Sequence, residues 1–429
     1  MTLRPSAFSW HVTPILLAAL AMGGPVRAET LNQAFEQALQ VDGKLKASER
    51  QIGAAQSAVD AAQGLSLPSF AVDAAYNHWS EAPAVQATVP MLGTLQMPVM
   101  EVNGGVYRAG VSVPLYTSGA LSRNTQAAEA TLGAARSDTE RTRQDLKLQV
   151  AEAYINVLRA RSLLALAESG VQTLASHLKD VNAYLDKGLV ARNDQLAAQA
   201  ASDNARQDRI RARTAVQIAE SAYNRLLGRP LTQPVAIDEI TLTPADLATP
   251  DPGRTRSEVT ALIRQTEALR AQSEAARAQG GPQVVLSGGF NQMDNRYLAK
   301  EGLWNVAVGL HWSIFDGGVH RSQADALAAR ADAVAAQRAD AETQVALQQH
   351  ADRLLVDEAA ARTEAAQSAV TQADENLRVA RDRYQSGVGT NTEVLDAETL
   401  RLKSHNNLSN ARYDHALAVQ RLKRAFDAL

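Results

Sequence analysis

The stretch Leu303-Trp-Asn-Val-Ala-Val-Gly-Leu-His-Trp-Ser-Ile-Phe-Asp-Gly-Gly318 decides how the chain is read. Trp304, Val306, Val308, Leu310, Trp312 and Ile314 take every second position, and Asn305, Ala307, Gly309, His311 and Ser313 fill the places between. Successive side chains of a strand point to opposite faces, so this segment has one apolar face and one small or polar face. Trp304 and Trp312 share the apolar face. At roughly 3.3 Å per residue they stand about 26 Å apart, close to the roughly 25 Å apolar band between the aromatic girdles of an outer-membrane barrel. A half-buried strand of a soluble sandwich alternates in the same way, so the stretch by itself leaves both readings open.

Working outward, the chain of 429 residues is only 4% aromatic, and alanine dominates its apolar share. Such a composition makes long, closely packed helices more readily than a thick core. The N-terminus carries Arg4, an uncharged apolar run over 12–22, then Gly-Gly-Pro and Val26-Arg27-Ala28, the pattern of a secretory leader ending at residue 28 with Glu29 as the first mature residue. No later run approaches the roughly 20 apolar residues of a membrane-spanning helix. There is no cysteine, which removes disulfides, thiolate metal sites and a lipid-acceptor thiol, so any membrane attachment must come from strands. The formal charge of −3 becomes −5 once Arg4 and Arg27 leave with the leader, and no basic cluster stands out, so nucleic acid is not an expected partner.

Proline marks the architecture, because it breaks helix interiors. None falls between Pro114 and Pro230, and none follows Pro282. Within the first proline-free region Leu146, Val150, Ala153, Val157, Ala160, Leu164, Ala167, Val171, Leu174, Leu178, Val181 and Leu185 recur at alternating steps of four and three, a sustained heptad seam. A second face with Leu148, Ile155, Leu158, Leu163 and Leu166 predicts another neighbour, as in the wall of a tube or in a long bundle. The two halves of the chain match at one constant spacing: Tyr116 with Phe315, Gly119 with Gly318, Val171 with Val370, Gly188 with Gly387, Asp194 with Glu393, Leu196 with Leu395 and Arg225 with Arg424. This reads as an internal tandem duplication. The expected division is a leader at 1–28, a first repeat at 29–228, a proline-rich connector on the outside of the helices at 229–256, and a second repeat at 257–429. Each repeat reads as helix, strand, loop, strand, long helix, glycine turn and second helix. In copy one these are 31–64, 68–79, 102–116, 119–187 and 193–227; in copy two 257–279, 282–294, 303–315, 318–386 and 392–428. The first copy is longer between its strands, and the extra length, 81–100, reads as a loop containing proline and methionine.

Four strands per chain cannot close a barrel, and an open sheet edge in lipid leaves backbone groups unsatisfied. Two chains would give eight strands and a filled interior, whereas three would give twelve and leave room for a duct; the small positions Asn305, Ala307, Gly309 and Ser313 favour the trimer.

Val-Pro-Leu-Tyr-Thr-Ser-Gly119, Trp-Ser-Ile-Phe-Asp-Gly-Gly318 and above all Tyr384-Gln-Ser-Gly387-Val-Gly-Thr390-Asn-Thr-Glu393-Val-Leu395-Asp396-Ala397-Glu-Thr, set in the duplicated order of elements, resemble the TolC-like outer-membrane efflux proteins over essentially the whole mature chain. The resemblance implies a mainly α fold with membrane β structure: a trimeric twelve-stranded β-barrel continuous with a long α-helical barrel that crosses the periplasm. It implies an outer-membrane exit duct with no catalytic role, whose partners are two further copies, outer-membrane lipid, a periplasmic adaptor protein and an inner-membrane transporter. Gly188, Leu189, Gly387 and Val388 match the turns that meet the adaptor, Glu393 and Asp396 match the two acidic positions of the periplasmic gate, and Asp194 matches the acidic position in the other turn; Tyr384, just before its turn, could stack across helices at the gate. Trp304 and Trp312 are the expected membrane girdle. The chain departs from one well-known member, which has an arginine where Gly389 stands, so a gate-locking ion pair through that position is not carried over. Any collar built from a C-terminal extension beyond the last helix is expected to be small.

Threefold symmetry would set each turn carboxylate three times around a narrow opening and attract cations. Glu393, Asp396 and Asp194 also fit as ordinary acids near helix N-termini, favoured by the helix dipole, and Tyr384 fits as a packing residue at a helix end. The eight histidines show neither the i, i+4 pairing nor the glutamate spacing of a zinc enzyme. Met91, Met97 and Met100 could hold a soft metal ion, but an apolar lid or simple length variation explains that loop as well. No cofactor or metal is expected. A periplasmic coiled-coil scaffold or adaptor without a pore is the competing function, and it has no need of four alternating strands.

Overall fold

The computed structural model describes residues 28–90, 93–244, 246–248 and 253–429. Residues 1–27 of the leader read at 1–28, together with Met91, Pro250 and Pro252, lie outside the described residues. In chain order the elements are α1 (Leu31–Val41), α2 (Gly43–Gly64), β1 (Ser69–His78), β2 (Ala84–Val89), β3 (Gly93–Pro98), β4 (Asn103–Tyr116), α3 (Ala120–Asp186) and α4 (Arg192–Leu226), then α5 (Ser257–Gln279), β5 (Gln283–Met293), β6 (Gly302–His311), α6 (Val319–Gln385) and α7 (Asn391–Ala425).

The helices α3 and α6 are 67 residues each, and α4 and α7 are 35 each. At roughly 1.5 Å per residue the longer pair run for about 100 Å. Near the sheet the packing order is α2, α3, α5, α6; further away it is α4, α3, α7, α6. The molecule is therefore a wall four helices wide, and its two flanks carry exposed apolar side chains: Leu196, Ile210 and Ile218 on α4, and Leu347, Leu354 and Leu355 on α6. The predicted heptad seam of α3 faces into this wall, with Leu146, Val150, Val157, Leu174 and Val181 buried and the other seam positions half-buried.

At one end of the wall β1, β4, β5 and β6 form one antiparallel sheet in that order. Register carries the phase of the tryptophan strand across all four strands. Trp304 lies opposite Phe290, Phe290 opposite Ala109, and Ala109 opposite Val72, so one face holds Phe70, Val72, Tyr107, Val111, Leu286, Trp304, Val306, Val308 and Leu310. The other face holds Ser69, Asp73, Arg108, Ser112, Ser287, Asn291, Asn305 and His311, and it is the concave one, enclosing a groove along Asp73, Arg108, Ser287 and Asn305.

Four expectations are corrected. The first helix, read as continuous over 31–64, breaks at Asp42, which is extended (φ −61°, ψ 128°) and accepts a 2.8 Å bond from the Leu45 N–H, so its side chain starts a new helix. The loop 81–100 contains a second antiparallel hairpin, β2 and β3, which short apolar runs between prolines had hidden. The last strand stops at His311, so Trp312 and Ile314 lie past its end. The connector also does not merely run outside the helices. Val235 and Ile237 are buried with Ala34, Ala38, Val150, Tyr154 and Tyr223 in the largest apolar cluster, because the connector supplies the cover that α1 is too short to give.

That cluster belts the wall at mid-length and is fastened by buried polar contacts. Tyr154 and Tyr223 meet edge to face at 5.9 Å. The Tyr154 hydroxyl proton is shared between the carbonyls of Glu29 at 2.8 Å and Asp238 at 2.7 Å, and the Tyr223 hydroxyl donates to the Glu29 carboxylate at 2.9 Å. Arg229 grips the same carboxylate with two nitrogens, at 2.7 and 3.0 Å. Burial pushes both tyrosines above their ordinary pKa, which keeps them neutral donors. Arg229→Ala strands a mostly buried carboxylate and is expected to cost roughly 3 kcal/mol, against about 1 kcal/mol for Tyr154→Phe. Guanidinium unfolding followed by the helical circular dichroism of the detergent-solubilised protein would show the two midpoints falling in that order.

Candidate functional site

Two places on the molecule carry unusual chemistry: the two-faced sheet, and the far end of the wall where both helical hairpins turn. At the sheet, Trp304, Val306, Val308 and Leu310 are all about two-thirds exposed or more, as are Phe70 and Val72. An apolar face of this extent on a concave sheet, with the polar face inside, presents hydrocarbon outward and water-seeking groups inward. Trp304 sits on that outer face at 79% exposure; Trp312, also exposed, lies at the end nearest the helices. Among the described residues no helix is long and apolar enough to cross a membrane, and no group of acidic and histidine side chains could hold a metal ion.

Both turns at the far end close in the same way. After α3 the Gly188 N–H bonds Leu185 O at 2.8 Å and the Leu189 N–H bonds Tyr184 O at 2.9 Å; after α6 the Gly387 N–H bonds Tyr384 O and the Val388 N–H bonds Arg383 O, both at 3.0 Å. This is the Schellman closure, and its left-handed residue is glycine in both places (φ 71° and 75°), where a Cβ would be strained. Leu189 and Val388 follow each glycine and stand equally exposed, at 68%, on the tips. Gly389 has a different constraint: a Cβ there would stand 2.9 Å from Tyr384 N and 3.0 Å from the Arg383 carbonyl carbon, both backbone atoms.

Behind the tips all four long helices meet. Val181 of α3, Ala198 of α4, Leu377, Ala380 and Tyr384 of α6, and Val394 and Ala397 of α7 make one buried cluster. Tyr384, singled out as a gate residue, is packed inside this junction, with Tyr184 at 5.7 Å and His177 at 5.2 Å between ring centres. Its buried hydroxyl has no hydrogen-bond partner among the described residues, and burial, then the nearby Asp194, pushes its pKa up. The three acidic positions lie around this plug. Asp194 is half-buried in the first turn of α4, and Glu393 is exposed in the first turn of α7, 3.6 Å from Arg383. Asp396 is exposed one turn later with no partner among the described residues.

The sequence reading missed a buried bond that joins the two hairpins behind the tips. His177 Nε2 lies 2.7 Å from Asn391 Oδ1 in a buried setting, and Asn391 Nδ2 donates to Asp194 O at 3.2 Å. Asn391 thus ties α3 and the α4 turn to the start of α7. One signal was present: His177 falls three residues after Leu174 and four before Val181, on the buried side of α3.

A polar-inside, apolar-outside sheet over paired helical hairpins is the construction of an outer-membrane channel subunit. The chain belongs to the outer membrane efflux protein family, whose profile matches residues 34–229 and 255–426. Outer membrane protein TolC of Vibrio cholerae serotype O1 is 25% identical over 444 residues, covering 97% of this chain and 95% of that protein. Outer membrane protein OprJ of Pseudomonas aeruginosa is 28% identical over 316 residues, covering 68% and 64%. Among solved structures, the outer-membrane channel OprN and the outer membrane protein VceC from Vibrio cholerae each superpose with a TM-score of 0.80 at 20% identity, covering 93% and 92% of this chain and 90% and 96% of theirs.

Burial holds the His177 imidazole below its ordinary pKa, outweighing the upward pull of Asn391. The unfolded chain therefore binds this proton at a higher pH than the folded one, so the junction is at full strength above pH ~6.5 and weakens as pH falls below it. Limited proteolysis at 186–191 and 386–390 is expected to accelerate from about pH 7.5 to about pH 5.5 on that basis. His177→Gln should flatten the dependence, while the same change at His415, also lowered by burial but remote from the turns, should not. Gly389→Arg should displace its turn rather than add an ion pair, read as faster amide exchange over 384–389 than in the parent.

Proposed function

We propose that three copies of this chain form an outer-membrane exit duct of a tripartite efflux or secretion system, docking a periplasmic adaptor that links it to an inner-membrane transporter. The observation that carries this reading is the sheet: four strands, one continuous apolar face and two unpaired edges, β1 and β6. Three such sheets close a twelve-stranded barrel with no edge left in lipid, wide enough for a lumen lined by the polar faces. The exposed apolar flanks of α4 and α6 support the same threefold closure in the helical part, since each flank then covers its neighbour's. The equal lengths of α3 and α6, and of α4 and α7, support an origin by tandem duplication with the repeats at 29–228 and 257–429 and the connector at 229–256.

At the far end Gly188, Leu189, Gly387 and Val388 form the tips that meet the adaptor, and Glu393, Asp396 and Asp194 ring the constriction. Arg383 partly offsets Glu393, though both side chains are about half exposed, where such a pair is worth little. Asp396 has no cationic partner among the described residues and carries most of the cation preference. In planar bilayers the unboiled trimer is expected to conduct and to prefer cations. Asp396→Asn should move the reversal potential toward zero further than Glu393→Gln, and the double variant should abolish most of the preference. Conducting trimers whose selectivity is unmoved by the double variant would remove these carboxylates from the gate. A protein that stays in the aqueous extract without detergent would refute the duct itself.

A further inference from the structure

The β2–β3 hairpin has a two-faced structure of its own. Register sets Val85 opposite Met97, Ala87 opposite Leu95 and Val89 opposite Gly93 on one face, and Gln86 opposite Gln96 and Thr88 opposite Thr94 on the other. Val85, Leu95 and Met97 are about half exposed. The hairpin leaves the sheet at the end opposite the helices, between β1 and β4, and its base is clamped. The Val99 N–H bonds Pro83 O at 2.8 Å, buried Asn295 from the β5–β6 connection donates to Val99 O at 2.9 Å, and Arg296 meets Glu101 at 3.2 Å. Beyond that base, the main packing partner of each strand is the other. A lone two-stranded hairpin is marginal in water and needs something against its apolar face.

We infer that the apolar face of this hairpin packs against the same face of its counterparts in the other copies, across the outer mouth of the duct; this rests on the trimeric reading above. Composition selects that occupant over lipid. From Ala82 to Met100 there is no charged residue and no Trp, Tyr or Phe. The segment therefore lacks the aromatic and basic anchors that seat a chain at a membrane surface. Three identical segments brought to one axis multiply any charge they carry, and a run with none meets itself without repulsion. The glutamines and threonines of the second face stay in water.

The chain has no cysteine, so one substitution introduces a unique thiol. Leu95→Cys in the full-length, membrane-embedded protein, treated with a mild oxidant and denatured without reductant, is expected to give a covalent dimer. Gln96→Cys, on the opposite face, should remain monomeric after the same treatment. Unboiled gels of both variants report the trimer independently. A trimer in which Leu95→Cys stays unlinked, or in which Gln96→Cys links equally well, overturns the contact while leaving the duct intact. A chain that is monomeric before boiling overturns both. A bimane label on Leu95→Cys that is quenched by brominated lipid chains places the face in the bilayer and overturns the contact as well.

Discussion

Unpaired backbone at the two outer strands is the constraint on which the rest of the structure depends. In water the free N–H and C=O groups along β1 and β6 would be hydrated, but in hydrocarbon each would cost several kcal/mol. The outward face of the same sheet is too apolar for water, so the edges cannot be left to solvent either. In the proposed trimer, pairing with another copy would satisfy both demands. It also accounts for features far from the sheet, because a wall four helices wide with apolar side chains on both flanks is as incomplete, taken singly, as the sheet above it.

Periodicity was the legible part of this chain. The alternation in 304–314 and 107–115 placed both strands in the same phase, and β5 transmits that phase between them residue by residue. The four-and-three spacing from Leu146 to Leu185 likewise marked the buried side of α3. Features missed in the sequence had no period long enough to register. Hairpin β2–β3 is built from six-residue strands between prolines; the break at Asp42 depends on one side chain capping the next helix; and the burial of Val235 and Ile237 depends on a belt assembled from four distant segments. At the turns, the glycines and exposed tips followed from their local motif. The His177–Asn391 bond did not, since it pairs residues from opposite halves of the chain, and no local pattern records which histidine will find an amide.

The far end separates its chemistry by depth. Inside, aromatic rings, small aliphatic residues and a neutral imidazole hold the hairpins together without net charge. Outside, Glu393 and Asp396 are exposed, with Glu393 standing 3.6 Å from Arg383. Glu398, one residue past the cluster on α7, is the buried exception, and its pairing with Arg401 at 2.8 Å offsets the desolvation penalty that burial brings. The orphan Tyr384 hydroxyl marks where this plug is least satisfied, and so where a rearrangement would cost least.

The two long helices are not tethered to the sheet alike. Only 117–119 separate β4 from α3, and Ser118 there is pinned by a 2.7 Å bond to the carbonyl of Pro282 at the root of β5. The link from β6 to α6 spans 312–318, more than twice as long. The longer link is gathered onto α6 by Asp316, which accepts from the Gly318 and His320 N–H groups at 2.8 and 2.9 Å, so torsion arriving from the tips would meet a lateral anchor to the neighbouring strand on α3 and only a local staple on α6.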